Sequence, residues 1–309
     1  MNNLYGVIDI GTLKVKFLVA KYVPGQPMET VHFETTHTLL GYGTKENGGN
    51  IKDEYLEQTV QELLRCKKVM EEMGVTTYRA VSTHALREAR NREYVLSNVL
   101  ERTGISIDNI SQEEEALLFL QAFMKSVDDT NQPYVLMDAG SGSVQVIVGT
   151  KERMHFMQLL PTGTLSLHER LTHTREYKEI QTWDDVEQMA SLIREGLLPV
   201  EGHERIPLVF GSSCIIDLLR DLGIGVSPYE AAIEGHPVST SSEALHAFIE
   251  NTLSLTYEEF KERFGYSKGY LWAFLNVLTI AEHFSSPVII PSNVNIAQGL
   301  VYSMVERSQ

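Results

Sequence analysis

Two short stretches, far apart in the sequence, repeat one pattern of residue types that could do chemistry. VIDIGTLKVKFLV (7–19) and LMDAGSGSVQVIV (136–148) both read apolar, apolar, Asp, any residue, Gly, a hydroxyl residue, two further residues and then a Val-containing apolar stretch. Each copy predicts a strand, a tight turn and a second strand. One copy alone would be an ordinary Asp-x-Gly hairpin turn, but two matching copies predict two halves of similar architecture.

The residue types of these hairpins suit phosphate and metal binding. Glycine lets the backbone approach a ligand closely, and a turn rich in Gly, Ser and Thr can direct several N–H groups into an anion-binding concavity. Asp9 and Asp138 each end a predicted strand, where a carboxylate can hold a divalent cation, usually through water. Two such hairpins facing each other would clamp a phosphate chain between two domains.

The charge of the chain limits its partners. The 309 residues include 41 Asp and Glu against 26 Lys and Arg, a formal net charge of −15. A field of that sign repels polyanions, so we expect no nucleic-acid partner and no broad surface for long polyphosphate. A short phosphate ligand would need local help from backbone amides, a few cations or a metal ion. The length suggests about two domains.

Cysteine content and apolar runs predict where the protein works. The two cysteines, Cys66 and Cys214, form no CxxC or Cys/His cluster, which argues against a zinc site and a disulfide framework. The N-terminal residues 1–5 lack the charged and apolar regions of a signal peptide. No apolar run reaches the roughly 18 residues that a membrane span needs. We therefore expect a cytoplasmic protein with no membrane partner.

Apolar periodicity predicts alternating strands and helices in both halves. Predicted strands cover 4–10, 15–22, 31–42, 78–81, 105–110, 134–137, 144–148, 153–160 and 206–210, and a short β-branched run lies at 285–291. Predicted helices cover 53–73, 85–103, 111–126, 183–196, most of 241–284, and 295–305. The polar stretch 127–132, which precedes Pro133, is the predicted linker.

Further segments carry a family resemblance along nearly the whole chain. They are STHALREA (82–89), ISQEEEA (110–116), DAGSGS (138–143), LPTG (160–163), FGSS (210–213) and QGLVY (298–302). In order and spacing they resemble the motifs (T/S)-x-A-L-R-x-A, I-S-G-x-E-E-A, D-I-G-G-G-S, L-P-x-G, G-A-S-G-T and E-G-V-L-Y. These are motifs of the exopolyphosphatase / guanosine pentaphosphate phosphohydrolase (Ppx/GppA) family, within the actin–Hsp70–sugar-kinase superfamily.

The resemblance implies an α/β fold of two ribonuclease-H-like domains with an interdomain cleft. The first domain would cover residues 1–126 and the second 127–292. The C-terminal helix, within 293–309, would pack back on the first domain. Domain rotation would close the cleft about hinges at 127–132 and 292–295.

The resemblance also implies a reaction. The family hydrolyses phosphoanhydrides with a divalent cation, usually Mg²⁺, and a glutamate base, which falls on Glu115. The metal ligands would be Asp9, Asp138 and Gln145. The predicted phosphate-binding residues are those of the turns, namely Gly11, Thr12, Lys14, Gly140, Ser141, Gly142 and Ser143. The partner would be a small phosphorylated substrate, polyphosphate or a guanosine nucleotide; a homodimer stays open.

Local physics gives the acidic and basic motif residues a second interpretation. Ser111 and Glu114 have the spacing of a helix capping box, and acidic residues in a first turn favour the helix dipole, so Glu113 and Glu114 need no function. Arg87 is either a solvated helix arginine or a catalytic phosphate contact, since guanidinium binds phosphate oxygens bidentately. It lies in the locally basic stretch 79–92, and we favour the phosphate contact.

The sequence departs from the family pattern at polar positions. Leu13 and Lys14 replace Asn and Ser in the first hairpin; Ser141, Val144 and Gln145 replace Gly, Thr and Glu in the second; Cys214 replaces a glycine; and no basic residue is evident before the Leu-Gly pair near Leu39. Two interpretations remain: a hydrolase in which Lys14 compensates for lost donors, or a nucleotide- or phosphate-sensing protein with little turnover. A sugar-kinase-like phosphotransferase fits less well.

Overall fold

The computed structural model describes residues 3–127, 132–174 (171–174 as backbone only), 182–199, 202, 205–212, 214–228, 236 and 238–307. The described strands are β1 Leu4–Ile10, β2 Lys14–Lys21, β3 Glu29–His37, β4 Thr77–Ser82, β5 Ile107–Asn109, β6 Tyr134–Ala139, β7 Val144–Gly149, β8 Met154–Leu160, β9 Leu208–Gly211, β10 Ser227–Pro228, β11 Val238–Ser239 and β12 Ile289–Ser292. The described helices are α1 Asp53–Glu72, α2 His84–Glu88, α3 Arg92–Thr103, α4 Gln112–Ser126, α5 Thr164–Thr174, α6 Trp183–Glu195, α7 Ile215–Asp221, α8 Ser242–Leu253, α9 Tyr257–Phe264, α10 Tyr270–His283 and α11 Ile296–Glu306.

The chain divides into two compact units. The first combines Met1–Ala122 with Ile296–Gln309, and the second is Phe123–Asn295. The predicted domain boundaries stay predictions, and residues 128–131 of the predicted linker lie outside the described residues. None of the helices in the described ranges combines the length and apolar character that a bilayer crossing needs.

The sheet of the first unit has the strand order β3-β2-β1-β4-β5. β1, β2 and β3 pair antiparallel, whereas β4 and β5 join parallel to β1. Buried apolar side chains of β1 and β2, such as Ile8 and Phe17, form one core with Val60 and Leu63 of α1. The helix α11 packs on β1 and β2, and Tyr302 meets Tyr22 edge-on at 4.9 Å between ring centroids.

The sheet of the second unit repeats this order as β8-β7-β6-β9-β12. β6, β7 and β8 are antiparallel, and β9 and β12 are parallel to β6. A separate core joins this sheet to α6, α8 and α10, including the buried Trp272. The predicted fold class is confirmed, because two mixed five-stranded sheets with the same order form ribonuclease-H-like α/β units.

The prediction of one helix over 85–103 is wrong. The chain leaves α2 at Ala89, whose backbone is extended (ψ 128°), and re-enters a helix at Arg92. The break is held by distant residues: the Arg90 N–H donates to Gly49 O at 2.8 Å, and the Asn91 amide pairs with both backbone groups of Ile51 at 2.9 Å. The predicted strand 31–42 is likewise shorter, because the chain turns after His37.

Candidate functional site

The turn between β1 and β2 and the turn between β6 and β7 close in the same way. In the first hairpin (β1, β2 and their turn), the Gly11 N–H donates to Lys14 O at 2.9 Å; in the second (β6, β7 and their turn), the Gly140 N–H donates to Ser143 O at 3.0 Å. A Cβ at either glycine would lie 3.1 or 2.9 Å from that same oxygen. The sequence repeat is therefore a repeat of backbone geometry.

In each unit a second glycine, from the loop after the unit's third strand, packs closely against the turn. The Gly41 N–H donates to Thr12 O at 2.8 Å, and a Cβ there would lie 2.5 Å from Thr12 Cγ2. In the second unit a Cβ at Gly163 would overlap the backbone of Gly142 and Ser143. Both turns are thus clamped between their strands and a loop, which fixes the direction of their backbone groups.

In the first unit the predicted residues gather at the carboxyl ends of three parallel strands. Asp9 lies near the end of β1, and the Thr83 N–H, just past β4, donates to Ile10 O at 3.3 Å. The Ile110 N–H, just past β5, donates to Ser82 O at 3.0 Å. The carboxyl edge of parallel strands is where α/β proteins bind ligands.

Glu115 and Arg87 form a direct ion pair at this edge. Arg87 Nη1 lies 2.8 Å from Glu115 Oε2, and the same nitrogen donates to Ile110 O at 3.2 Å. The side chains are only 14% and 9% exposed, respectively. The structure therefore joins the two predicted catalytic residues, one from α2 and the other from the first turn of α4.

The other acidic residues at the start of α4 have structural partners or face solvent. Ser111 Oγ accepts from the Glu114 N–H at 3.0 Å, as the predicted N-cap requires. The Glu114 carboxylate accepts from Arg79 Nη2 at 2.9 Å, and Arg79 also donates to Asp108 at 2.8 Å. Glu113 is exposed. Arg79, which the sequence analysis left unassigned, therefore anchors the helix that carries Glu115.

The two aspartates of the hairpins have different cross-strand neighbours. Asp9 is paired in register with Lys16, whose Nζ lies 3.2 Å from Asp9 Oδ2. Asp138 is paired in register with Gln145, which is fully buried and whose Nε2 donates to Ser143 Oγ at 3.2 Å. Directly opposed residues on antiparallel strands share one face of the sheet. The sequence analysis did not single out Lys16, although Lys16 and Gln145 hold equivalent positions in the two aligned repeats.

The remaining predicted phosphate-binding residues occupy the turns as expected from the hairpin pattern. Thr12, Gly142 and Ser143 are buried, whereas Lys14 is half-buried. The Gly142 carbonyl accepts from Ser166 Oγ of α5 at 2.7 Å. The first unit thus assembles its own set around Glu115, and the second unit assembles a set around Asp138.

Comparison with known proteins identifies the family of the chain. The family model for the Ppx/GppA phosphatase family matches residues 18–308. The chain belongs to the Ppx/GppA family. It is 28% identical over 159 residues to exopolyphosphatase 1 of Mycobacterium tuberculosis, a match that covers 51% of this chain and 46% of that protein. The chain spans half or less of the length of the curated relatives it matches.

Solved structures of family members show the same fold. A crystal structure of the Aquifex aeolicus Ppx/GppA family member has a TM-score of 0.77 at 22% identity and covers 99% of both chains. An exopolyphosphatase from Cytophaga hutchinsonii has a TM-score of 0.82 at 21% identity and covers 98% of both chains. At these identities the likeness shows the fold alone, and the chemistry has to be argued from this chain's own residues.

Two residues at or near departures from the Ppx/GppA pattern have left-handed backbone conformations. Cys214, which stands where the family motif has a glycine, is exposed and has a positive φ of 61°, in the left-handed region that favours glycine. Leu39, near the expected basic residue, also has a positive φ of 55°. Both residues therefore hold a backbone conformation that favours glycine. Ser213 of the same motif lies outside the described residues.

The donor set of the Ppx/GppA hairpins fits a divalent cation. Asp9 Oδ1 and Gln145 Oε1 are buried, and each lacks a hydrogen-bond partner among the described residues. Buried polar oxygens are normally satisfied, so such atoms call for a ligand. Carboxylate and amide oxygens are donors that Mg²⁺ accepts. Asp9, Asp138 and Gln145 are therefore chemically suited to the predicted metal role, each within its own unit.

Proposed function

We propose that this Ppx/GppA family member is a phosphohydrolase that releases terminal phosphate from polyphosphate or guanosine pentaphosphate. A water oxygen attacks the terminal phosphorus, Glu115 takes the proton of that water, and the bridging P–O bond breaks with its electrons passing to the leaving chain. The products are inorganic phosphate and a substrate shortened by one phosphate.

The Glu115–Arg87 pair is the observation that carries this proposal. The Glu115 carboxylate is largely buried, and its Oε2 lies 2.8 Å from Arg87 Nη1. The pair lies beside the carboxyl edge of β1, β4 and β5. A guanidinium has five N–H donors, so Arg87 can hold Glu115 and also contact a phosphate oxygen. The pair would thereby place the base next to the phosphate whose attacking water it must orient.

The turns and the cation would both offset the negative charge of the substrate. Backbone N–H groups of the two hairpin turns and the side chain of Lys14 would contact phosphate oxygens. Asp9 in the first unit, and Asp138 with Gln145 in the second, are the residues that would hold Mg²⁺, which when bound neutralises charge on the phosphate chain. With a formal net charge of −15, we expect short or nucleotide-linked substrates to be preferred over long polymers.

Phosphate release with Mg²⁺ from tripolyphosphate and from guanosine pentaphosphate tests the proposal. The Glu115→Gln variant should lower kcat by about a hundredfold or more, the scale of losing a general base. Glu113→Gln is the matched control, because Glu113 is exposed on the same helical turn. No release above background from either substrate, or equal rates for Glu115→Gln and Glu113→Gln, would exclude the proposed mechanism.

The replacement of polar motif residues supports a second candidate, a phosphate or nucleotide sensor with little turnover. Leu13, Val144 and Gln145 each replace a side chain that could donate to, or carry charge near, a phosphate–metal complex. Calorimetry with guanosine pentaphosphate and Mg²⁺ distinguishes the two candidates. Binding without release favours the sensor, and binding with release by the wild type but not by Glu115→Gln favours the hydrolase.

A further inference from the structure

The second turn, residues 140–143 between β6 and β7, is held through its carbonyl groups. The carbonyls of residues 140–142 accept from the Thr164 N–H, the Leu165 N–H and the Ser166 hydroxyl at 3.2, 2.8 and 2.7 Å, respectively. Because the carbonyl and the N–H of one trans peptide unit point in opposite directions, the N–H groups that follow these carbonyls point away from α5. The start of α5 therefore sets the direction of the turn amides.

The segment between β8 and α5 is fixed from the interior of the second unit by Asn276 of α10. Asn276 Nδ2 donates to Thr162 O at 2.9 Å and to Trp272 O, in its own helix, at 3.0 Å. Thr162 is followed directly by Gly163, and a Cβ at Gly163 would lie 2.3 Å from the carbonyl carbon of Gly142. One core side chain therefore connects α10 to the second turn through two residues.

Asn276 is a polar side chain at an apolar position. It is fully buried in the middle of α10, a helix whose neighbouring side chains belong to the apolar core of the second unit. Its Nδ2 faces two carbonyl oxygens, which fixes the orientation of the amide, and its Oδ1 has no hydrogen-bond partner among the described residues. A buried polar atom without a partner destabilises the folded state. The stability of α10 alone does not account for an amide at this position.

We propose that Asn276 is a positioning residue that keeps the second turn in its phosphate-binding conformation. Its side chain is fully buried, so it acts through Thr162 and Gly163 without touching the ligand. This inference rests on the proposed function, because the amides that Asn276 positions are among those that contact phosphate there. The first turn is clamped by Gly41 instead, so the effect of Asn276 should be confined to the second turn.

NMR spectra of protein isotopically labelled at its glycine amides test this inference. In the free protein, Asn276→Leu should shift the Gly142 N–H signal and leave the Gly11 signal of the first turn in place. In a Glu115→Gln background with Mg²⁺, tripolyphosphate binding followed at Gly142 should be about tenfold weaker with Asn276→Leu. Thr279→Val, which removes a buried hydroxyl from the same helix, is the matched control and should change neither.

Asn276→Ser covers the case in which Asn276→Leu does not fold. A serine hydroxyl in a helix can still bond the carbonyl of Trp272, four residues earlier, but it is too short to reach Thr162 O. The same shift and the same loss of affinity are therefore expected. An unshifted Gly142 signal with unchanged affinity in a folded variant would overturn the inference. An equal shift at Gly11 would overturn it too, because it would indicate a general loss of structure.

The measurements separate this inference from the proposed function. If the wild type neither binds tripolyphosphate nor releases phosphate, the proposed function fails, even where Asn276→Leu shifts the Gly142 signal of the free protein. If the wild type and Asn276→Leu bind tripolyphosphate equally well and release phosphate with the same KM, only the positioning role of Asn276 fails.

Discussion

The first and second hairpins share a backbone but differ in what they present to a ligand. Both close with a glycine N–H bonded three residues ahead, at 2.9 and 3.0 Å. The first turn carries Leu13 and Lys14, followed by Lys16, whereas the second carries Gly142 and Ser143, followed by Gln145. Within an acidic chain, the first hairpin is therefore cationic and the second is neutral apart from its aspartate.

This difference shows that a repeated turn can change its charge without changing its backbone shape. The direction of the turn amides depends on backbone closure, which glycine and the clamping loop provide in both units. The charge at the turn depends on side chains that the closure does not use. Substitutions at those positions can therefore change the charge of one turn without that of the other, at little cost to the fold.

The clamping glycines should give the largest difference in stability. Gly163→Ala should destabilise the second unit by about 3 kcal/mol, because the new Cβ would overlap the backbone of Gly142 and Ser143. Gly41→Ala should cost less, about 2 kcal/mol, because its nearest neighbour is the methyl group of Thr12, a buried side-chain atom that has to shift, and not backbone. Urea unfolding of each variant measures both values.

A second variant sharpens the comparison of the clamps. Thr12→Ser removes the methyl group that a Cβ at Gly41 would meet, so Gly41→Ala should be milder in a Thr12→Ser background. Equal costs for Gly41→Ala and Gly163→Ala in the wild-type background would mean that the two clamps are equally tight, against the geometry.

Acid should weaken the second unit through His236. Burial lowers the pKa of His236 to about 4, and its ring bonds Ser292 Oγ at 2.6 Å. The native state therefore keeps His236 neutral, the unfolded chain binds its proton near pH 6.5, and stability is lost as the pH falls from 6.5 toward 4. At pH 5 this loss is about 2 kcal/mol, and His236→Gln should remove it.

Fluorescence can report this transition for the second unit by itself. Both tryptophans of the chain, Trp183 and Trp272, lie in that unit. Urea midpoints from tryptophan fluorescence at pH 7 and pH 5 should differ less in His236→Gln than in the wild type. In the first unit, burial and the nearby Arg87 lower the pKa of His84 to about 4 as well, so His84→Gln is the matched comparison by circular dichroism. An unchanged pH dependence in His236→Gln would contradict the assignment.

The smallest effect concerns Cys214. Holding a non-glycine residue in the left-handed region lowers the free energy of unfolding by about 1 kcal/mol or more. Glycine removes this strain, but it also makes the unfolded chain more flexible, which cancels part of the gain. Cys214→Gly should therefore stabilise the second unit by a net of about 0.5 kcal/mol, measured as a small rise in Tm. Cys214→Ser retains the strain and should give no rise; a rise equal to that of Cys214→Gly would point to the thiol instead.

Local sequence patterns predicted much of the fold. Alternating and helical apolar periodicities predicted most strands and helices, since they depend on residues that are neighbours in sequence. The repeated Asp-x-Gly pattern predicted both hairpins and the equal architecture of the two halves. Ser111 and the family spacing predicted the start of α4 and the position of Glu115 on it.

What the sequence could not determine depends on residues brought together from afar. The break between α2 and α3 depends on Gly49 and Ile51. The Gly49 carbonyl accepts from the Arg90 N–H, and the Ile51 N–H donates to the Asn91 side chain. The Arg79–Glu114 and Arg87–Glu115 pairs likewise form only once β4 and β5 lie side by side. Apolar periodicity does not predict such pairings, because it depends only on residues that are close in sequence.

The sequence by itself determined the hairpins, their glycines and the order of elements, because each follows from local residue types. Only the tertiary structure decided the partners of the charged groups. Register across β1 and β2 sets Lys16 against Asp9, and register across β6 and β7 sets Gln145 against Asp138. The physical reason is that a charge in a low-dielectric site is governed by what lies within a few ångströms, and those neighbours are chosen by strand pairing and packing.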